Sequence, residues 1–429
     1  MNKEIAVIGA GPMGLAVAYE LVKQGFKPTL FEADDRVGGM AAMFDFGGIE
    51  IERYYHFHCT SDYDFFNILK ELNIEDKLNW RATKMGYWYQ NRLQPWGNPI
   101  ALLKFKGLSL SAKFRYALHA FVSTKIKNWK PLEKYDALTW VKKWVGQEAY
   151  NILWHKLFYQ KFYEYSTNLS APWIWSRIRR IGNSRYSLMK EKLGYLSGGS
   201  KTLLEAMNNY ILENGGKIRL SSEIEKIEIE DGRVKGVVSN GEFYSFDTVI
   251  STIPLPIIPK IAPNLPEDIL NKFKSKINIA GVCVIAKLDK PLTQNFWLNT
   301  NDDEMDIPGI IEYSNLNDKV GHIVYVPYYM PQSNPKYRDD DEVYISKVKK
   351  YFKKINPNID EENILDVKVH RYHYAQPICQ PNYLDSLPDA KLPIKGLWIA
   401  DTSYYYPEDR GISESIGYGR DMAKRAIND

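Results

Sequence analysis

The chain has 429 residues, 45% of them hydrophobic and 25% charged, with a formal net charge of +4. That balance excludes both a disordered chain and one embedded in a membrane, and the length asks for two domains rather than one core. Three widely spaced cysteines, Cys59, Cys283 and Cys379, form no CxxC pair, which argues against a disulfide framework and for a reducing compartment.

The first 40 residues read as strand, helix, strand. "EIAVIG" is a short buried apolar run, "PMGLAVAYELVKQG" has helical periodicity and stops at Gly25, and "KPTLFE" is a second strand. A parallel sheet begins this way. Because the chain enters that strand within a few residues, no signal peptide is expected, and no apolar run approaches the roughly 20 residues of a spanning helix.

"VIGAGPMG" places Gly9, Gly11 and Gly14 in GxGxxG spacing, with Pro12 and Met13 opening the helix and Glu32 23 positions after Gly9. In this strand-to-helix context the motif is a dinucleotide fingerprint. Its first glycine allows the turn, the second admits the pyrophosphate, the third lets the helix pack closely, and the acid meets a ribose.

The next stretch, "EADDRVGGM", narrows the reading. Glu32, Arg36 and the Gly38-Gly39 pair before Met40 resemble the signature of the FAD-binding superfamily that includes flavin amine oxidases, protoporphyrinogen oxidases and phytoene desaturases. The resemblance implies FAD as cofactor, with Arg36 neutralising charge near the pyrophosphate and the glycines admitting the backbone to FAD. It continues at "IRLSSEIEKIEI", where Ile224 would meet the adenine, and at "DTVISTIP". It returns at "GLWIADTSYYYPEDRGISESIGYG", where Asp401 would bind the ribityl chain and the helix starting near Gly411 and Ile412 would face the flavin pyrimidine edge. "YPEDRG" departs from the superfamily's glycine-rich turn at this point.

Between these pieces the pattern changes. Residues 61–194 read as helical, aromatic and basic, with 17 Lys plus Arg against 4 Asp plus Glu from Ala101 to Lys190. Such a block favours an anionic partner. Residues 255–393 read as strands with one helix near Asp339–Lys354. The expected fold is therefore α/β: a Rossmann-like FAD-binding domain of glutathione reductase type, from residues 1–60, 195–254 and 394–429. Inserted into it is a partly helical α+β substrate domain, from residues 61–194 and 255–393.

The expected reaction is hydride transfer from a C–H or C–N bond to flavin N5, with the cofactor carrying the difficult step. No second GxGxxG marks a separate nicotinamide domain. Candidates for the substrate face are His56, His58 and Glu312, with Asn315 and Gln376 nearby in kind. "HFHCTSD" is also similar to a stretch of UDP-galactopyranose mutases, whose redox-neutral chemistry on a nucleotide sugar is the alternative, and a non-catalytic flavin protein the third reading. Two histidine pairs, His56/His58 and His370/His373, lack the accompanying ligands of a metal centre, so no metal is expected. The expected partner is a small or lipid- or sugar-linked anionic substrate, not nucleic acid. The expected location is cytoplasmic, with peripheral contact at the inner face of a membrane left open.

Overall fold

The computed structural model describes residues 3–187 and 190–428. Five strands form one parallel sheet in the order Lys217–Arg219, Thr29–Phe31, Ile5–Ile8, Thr248–Ser251, Leu397–Ile399. The central strand is buried along its whole length, as a strand covered on both faces must be. This is the α/β architecture the sequence led us to expect.

Helix Pro12–Lys23 starts on Gly11, with Pro12 in its first turn, where a missing N–H costs nothing. A Cβ on Gly14 would lie 1.8 Å from the Gly9 carbonyl oxygen, so only glycine lets helix and strand approach this closely. The C-terminal helix Ile412–Ile427 packs beside it. Helix Tyr63–Glu71 joins the same core, burying Phe65, Ile68 and Leu69 with Leu15, Ile416 and Met422. Its apolar face thus ties it to the nucleotide-binding elements, although the sequence boundary at residue 60 had set it with the insertion.

The two insertions meet in a second sheet of seven strands. Strands Met85–Tyr89 and Arg92–Trp96 come from the first, and the other five lie between Asn278 and Pro377. The join is parallel, pairing Met85–Tyr89 with Trp297–Asn301. Helices Leu110–Lys125, Ala137–Tyr150, Lys156–Phe162 and Ala171–Asn183 carry the basic, aromatic part. Trp173 and Trp175 are fully enclosed among them. No helix among the described residues is long and apolar enough to cross a membrane.

Candidate active site

A continuous cavity of about 800 Å³ runs from the ends of the parallel strands to the seven-stranded sheet and the basic helices. At its nucleotide end it is lined by Gly9, Gly11, Pro12, Met13, Glu32 and Ile224, and further in by Gly39 and Met40. Glu32 accepts hydrogen bonds from the backbone N–H of Ala10 (2.7 Å) and Asp34 (2.9 Å). Burial raises its pKa against those donors, and each oxygen keeps a lone pair for a ribose hydroxyl.

Three predicted residues of this half lie outside the lining. Gly14 and Gly38 stand behind it as packing positions; a Cβ on Gly38 would meet Leu204 at 2.8 Å. Arg36 turns to Asp35 (2.6 Å) and the Met43 carbonyl (3.0 Å). Arg53, ion-paired with Asp34, does line the cavity. The family resemblance singled out Arg36, whereas Arg53 arrives through the hairpin of Met43–Asp45 and Glu50–Glu52.

Asp401 lies at mid-cavity, where its buried carboxylate accepts from the N–H groups of Leu255 (2.9 Å) and Ser403 (2.8 Å). Burial pushes its pKa up. Gly411 and Ile412, at the N-terminus of the last helix, line the same section.

The inner end holds both predicted histidines, though in different roles. They are not in a strand; only His58 forms a bridge, with Gly194. Its ring stacks on Phe65 at 3.6 Å and its Nδ1 faces Asp62 at 3.7 Å. Asp62 is in turn held by Arg180 (3.1 Å) and the Cys59 N–H (3.0 Å). His56 has no such support. Its buried Nδ1 lacks any hydrogen-bond partner, and burial, with His58 and Arg410 adding to it, pushes the pKa down to about 3. The His56 ring is therefore a neutral part of the cavity wall.

Glu312, expected at the same face, is placed elsewhere. It does not line the cavity, and its carboxylate accepts from Leu292 N–H (2.9 Å), Thr293 N–H (2.7 Å) and Thr293 Oγ1 (2.9 Å). It organises a loop. Gln376 also stands behind the wall, donating to Asp409 at 3.0 Å.

Lys161 is the residue that sequence reading missed. It lines the cavity from helix Lys156–Phe162, with its Nζ 5.0 Å from the Tyr329 ring centroid and 5.7 Å from that of Phe162. No carboxylate pairs with it among the described residues. Burial first, then Arg177 and Arg410, lower its pKa to about 7 against the pull of Asp409. The local clue was a single lysine within the aromatic run "LFYQKFYEY".

"YPEDRG" now has a physical explanation. Arg179 pairs with Glu408 at 2.8 Å and Arg177 with Asp409 at 2.7 Å, so this segment is locked to helix Ala171–Asn183. Part of the basic block is thereby neutralised inside the molecule. Among the cavity-lining side chains of the inner end, Lys161, Arg180 and Arg410 still outnumber Asp62 and Asp409.

The sequence matches the model of the family "Flavin containing amine oxidoreductase" over residues 14–407. The chain belongs to this family. It is an FAD-dependent oxidoreductase, and the family's flavin accounts for a cavity that begins at a dinucleotide fingerprint. Among curated relatives, the 15-cis-phytoene desaturase of an Oncidium hybrid cultivar is 24% identical, with 92% of this chain and 73% of the relative covered. The fold is that of a putative protoporphyrinogen oxidase from Exiguobacterium sp., at TM-score 0.78 and 16% identity over the whole of both chains. It is also that of a reduced UDP-galactopyranose mutase, again at TM-score 0.78 and 16% identity, covering 99% of this chain and 96% of the other. The family's FAD fits the residues present: Gly11 has nothing within 4 Å of where a Cβ would stand, and Asp401 and the last helix lie farther along the same cavity.

Proposed function

We propose that this oxidoreductase oxidises a small molecule bearing an anionic group, removing hydride from a C–H bond next to an ionisable N–H or O–H. The carrying observation is Lys161, a cavity-lining amine whose pKa burial lowers to about 7 and which pairs with no carboxylate among the described residues. Gly9, Gly11, Glu32, Arg53, Asp401 and Gly411 would hold FAD, which when bound would supply the hydride acceptor. Dioxygen, a quinone or another carrier then takes the electrons away.

Loss of hydride from such a bond leaves a proton to be removed. Lys161 in its neutral form takes it, and a pKa close to the working pH suits that task. Arg410 and Arg180 supply fixed positive charge for the substrate's anionic part, in an enclosed site where such attraction is little screened. His56, neutral at any physiological pH, offers a nitrogen that donates or accepts one hydrogen bond and so orients the substrate. The aromatic walls of Tyr55 and Tyr329 exclude water.

The test pairs two variants. If Lys161 acts as base, kcat/KM rises with pH through about 7 in the parent, because the amine must lose its proton first. Lys161→Met and Lys161→Arg should both fall by about 10² to 10⁴ and lose that limb. An active Lys161→Arg enzyme would reduce the lysine to an anchor for the anion. The family's redox chemistry predicts that substrate bleaches the flavin without prior reduction. A nucleotide sugar turned over only after dithionite treatment would favour mutase chemistry instead, to which the fold likeness to a reduced mutase points.

A further inference from the structure

Most of the basic block remains unexplained by the cavity. Between Pro99 and Tyr135 the chain carries seven lysines and one arginine against a single acid, Glu133. Glu133 faces inward, accepting from the Tyr406 hydroxyl (2.6 Å) and the Asn382 N–H (2.8 Å). Lys113 and Arg115 hold backbone carbonyls of Leu103 and Lys143. The other six, Lys104, Lys106, Lys125, Lys127, Lys130 and Lys134, pair with no carboxylate among the described residues.

The same segment exposes apolar side chains where a soluble helix should be polar. On helix Leu110–Lys125, Leu110 is 76% exposed, Phe114 69%, Leu118 40% and Phe121 62%. Steps of four, four and three residues put them in one stripe along the outside. Leu103, 63% exposed, and Ile100 add to it from the adjoining helix Pro99–Lys104. Lys125 stands 5.4 Å over the Phe121 ring at one end of the stripe. The result is a convex apolar ridge set among lysines.

We propose that helices Pro99–Lys104 and Leu110–Lys125 form a docking face for an anionic lipid bilayer. The ridge inserts at headgroup depth while the lysines pair with lipid phosphates, which is how an interfacial helix combines apolar area with charge. A second copy of the chain is a poor occupant, because a two-fold contact would press two such cationic faces together. A fluid surface needs no complementary groove, whereas a protein partner must provide one for a ridge. The docked helix also reaches the site: Trp175 donates to the Ser123 carbonyl at 2.8 Å, and the helix bearing Trp175 supplies Arg180 to the inner end of the cavity. One layer of helix separates the proposed bilayer from the inner end.

Flotation of the FAD-loaded protein with vesicles tests this. With equal parts phosphatidylglycerol and phosphatidylcholine, the protein should float at low salt and be released as salt rises. With phosphatidylcholine alone it should stay behind. Phe114→Ser combined with Phe121→Ser should weaken partitioning at least about tenfold. Lys104→Glu with Lys127→Glu should weaken it roughly a hundredfold. Both variants change exposed positions and should keep the flavin spectrum and unfolding midpoint of the parent, which separates lost docking from lost fold. No flotation of the parent at low salt would overturn the proposal, as would variants that float like the parent. So would a concentration-dependent dimer, or an acidic protein bound at this face, that the Phe variant abolishes while vesicle binding is untouched.

Discussion

Single positions carry distinct burdens in this molecule, and two glycines show how to tell them apart. A methyl at Gly14 collides with the Gly9 carbonyl and comes within 2.9 Å of Thr252 Oγ1. Gly14→Ala must therefore push helix and strand apart, and it should lower the unfolding midpoint of the apoprotein as well as release FAD. A methyl at Gly11 meets no protein atom. Gly11→Ala should keep the apoprotein's stability and lose flavin affinity alone, read from flavin absorbance per chain after gel filtration. Glu312 is the opposite lesson, a buried carboxylate raised to about 7 by burial that looks catalytic by pKa yet serves a loop. Glu312→Gln leaves one backbone donor facing an amide N–H and should cost about 2 kcal/mol in urea unfolding. Turnover of the folded enzyme should be unchanged; a tenfold loss of kcat at equal stability would return Glu312 to the chemistry.

Three helices of the nucleotide-binding core are fastened by one side chain. Arg420, on the last helix, reaches Glu20 on helix Pro12–Lys23 (2.8 Å) and Glu71 on helix Tyr63–Glu71 (2.8 Å). Glu20 is only 2% exposed. Arg420→Leu leaves that buried charge with only Gln24 (3.1 Å) and a longer contact to Lys424 (3.8 Å), which should cost about 2 kcal/mol. The acid limb of stability changes as well. Burial raises the Glu71 pKa, but Lys23 and Arg420 outweigh it and hold the group at about 2 against an ordinary 4.5. A depressed carboxyl stabilises the fold above its unfolded pKa and ceases to as pH falls from 4.5 to about 2. Urea midpoints measured across that window should fall less steeply in the variant than in the parent. These inter-helix ties were not legible in the sequence, since each partner comes from a distant segment. The helices themselves were, because "DYDFFNILKELN" and "GISESIGYGRDMAKRAI" show their apolar spacing locally.

At the scale of the molecule, legibility follows how local the physical demand is. Gly9, Gly11 and Glu32 could be read because the demands of a phosphate on a tight turn fall within a few residues. Lys161 could not, because its low pKa is created by burial first and then by Arg177 and Arg410, and folding supplies all three. The same holds for Arg53, which lines the cavity where Arg36 does not, and for the pairs that lock "YPEDRG" in place. The join between Met85–Tyr89 and Trp297–Asn301 leaves no periodicity to detect, since a parallel partner two hundred residues away imposes only that both runs be strands.

That join also dictates a timetable. During synthesis the hairpin of Met85–Trp96 lies outside the ribosome long before Trp297–Asn301 exists, and the nucleotide-binding sheet waits for its edge strand Leu397–Ile399. Neither unit can close early. The cofactor site is later still, as it also needs Asp401 and Gly411, which are made after that strand. Until then the aromatic helices stand uncovered, the state in which a chain most needs a chaperone.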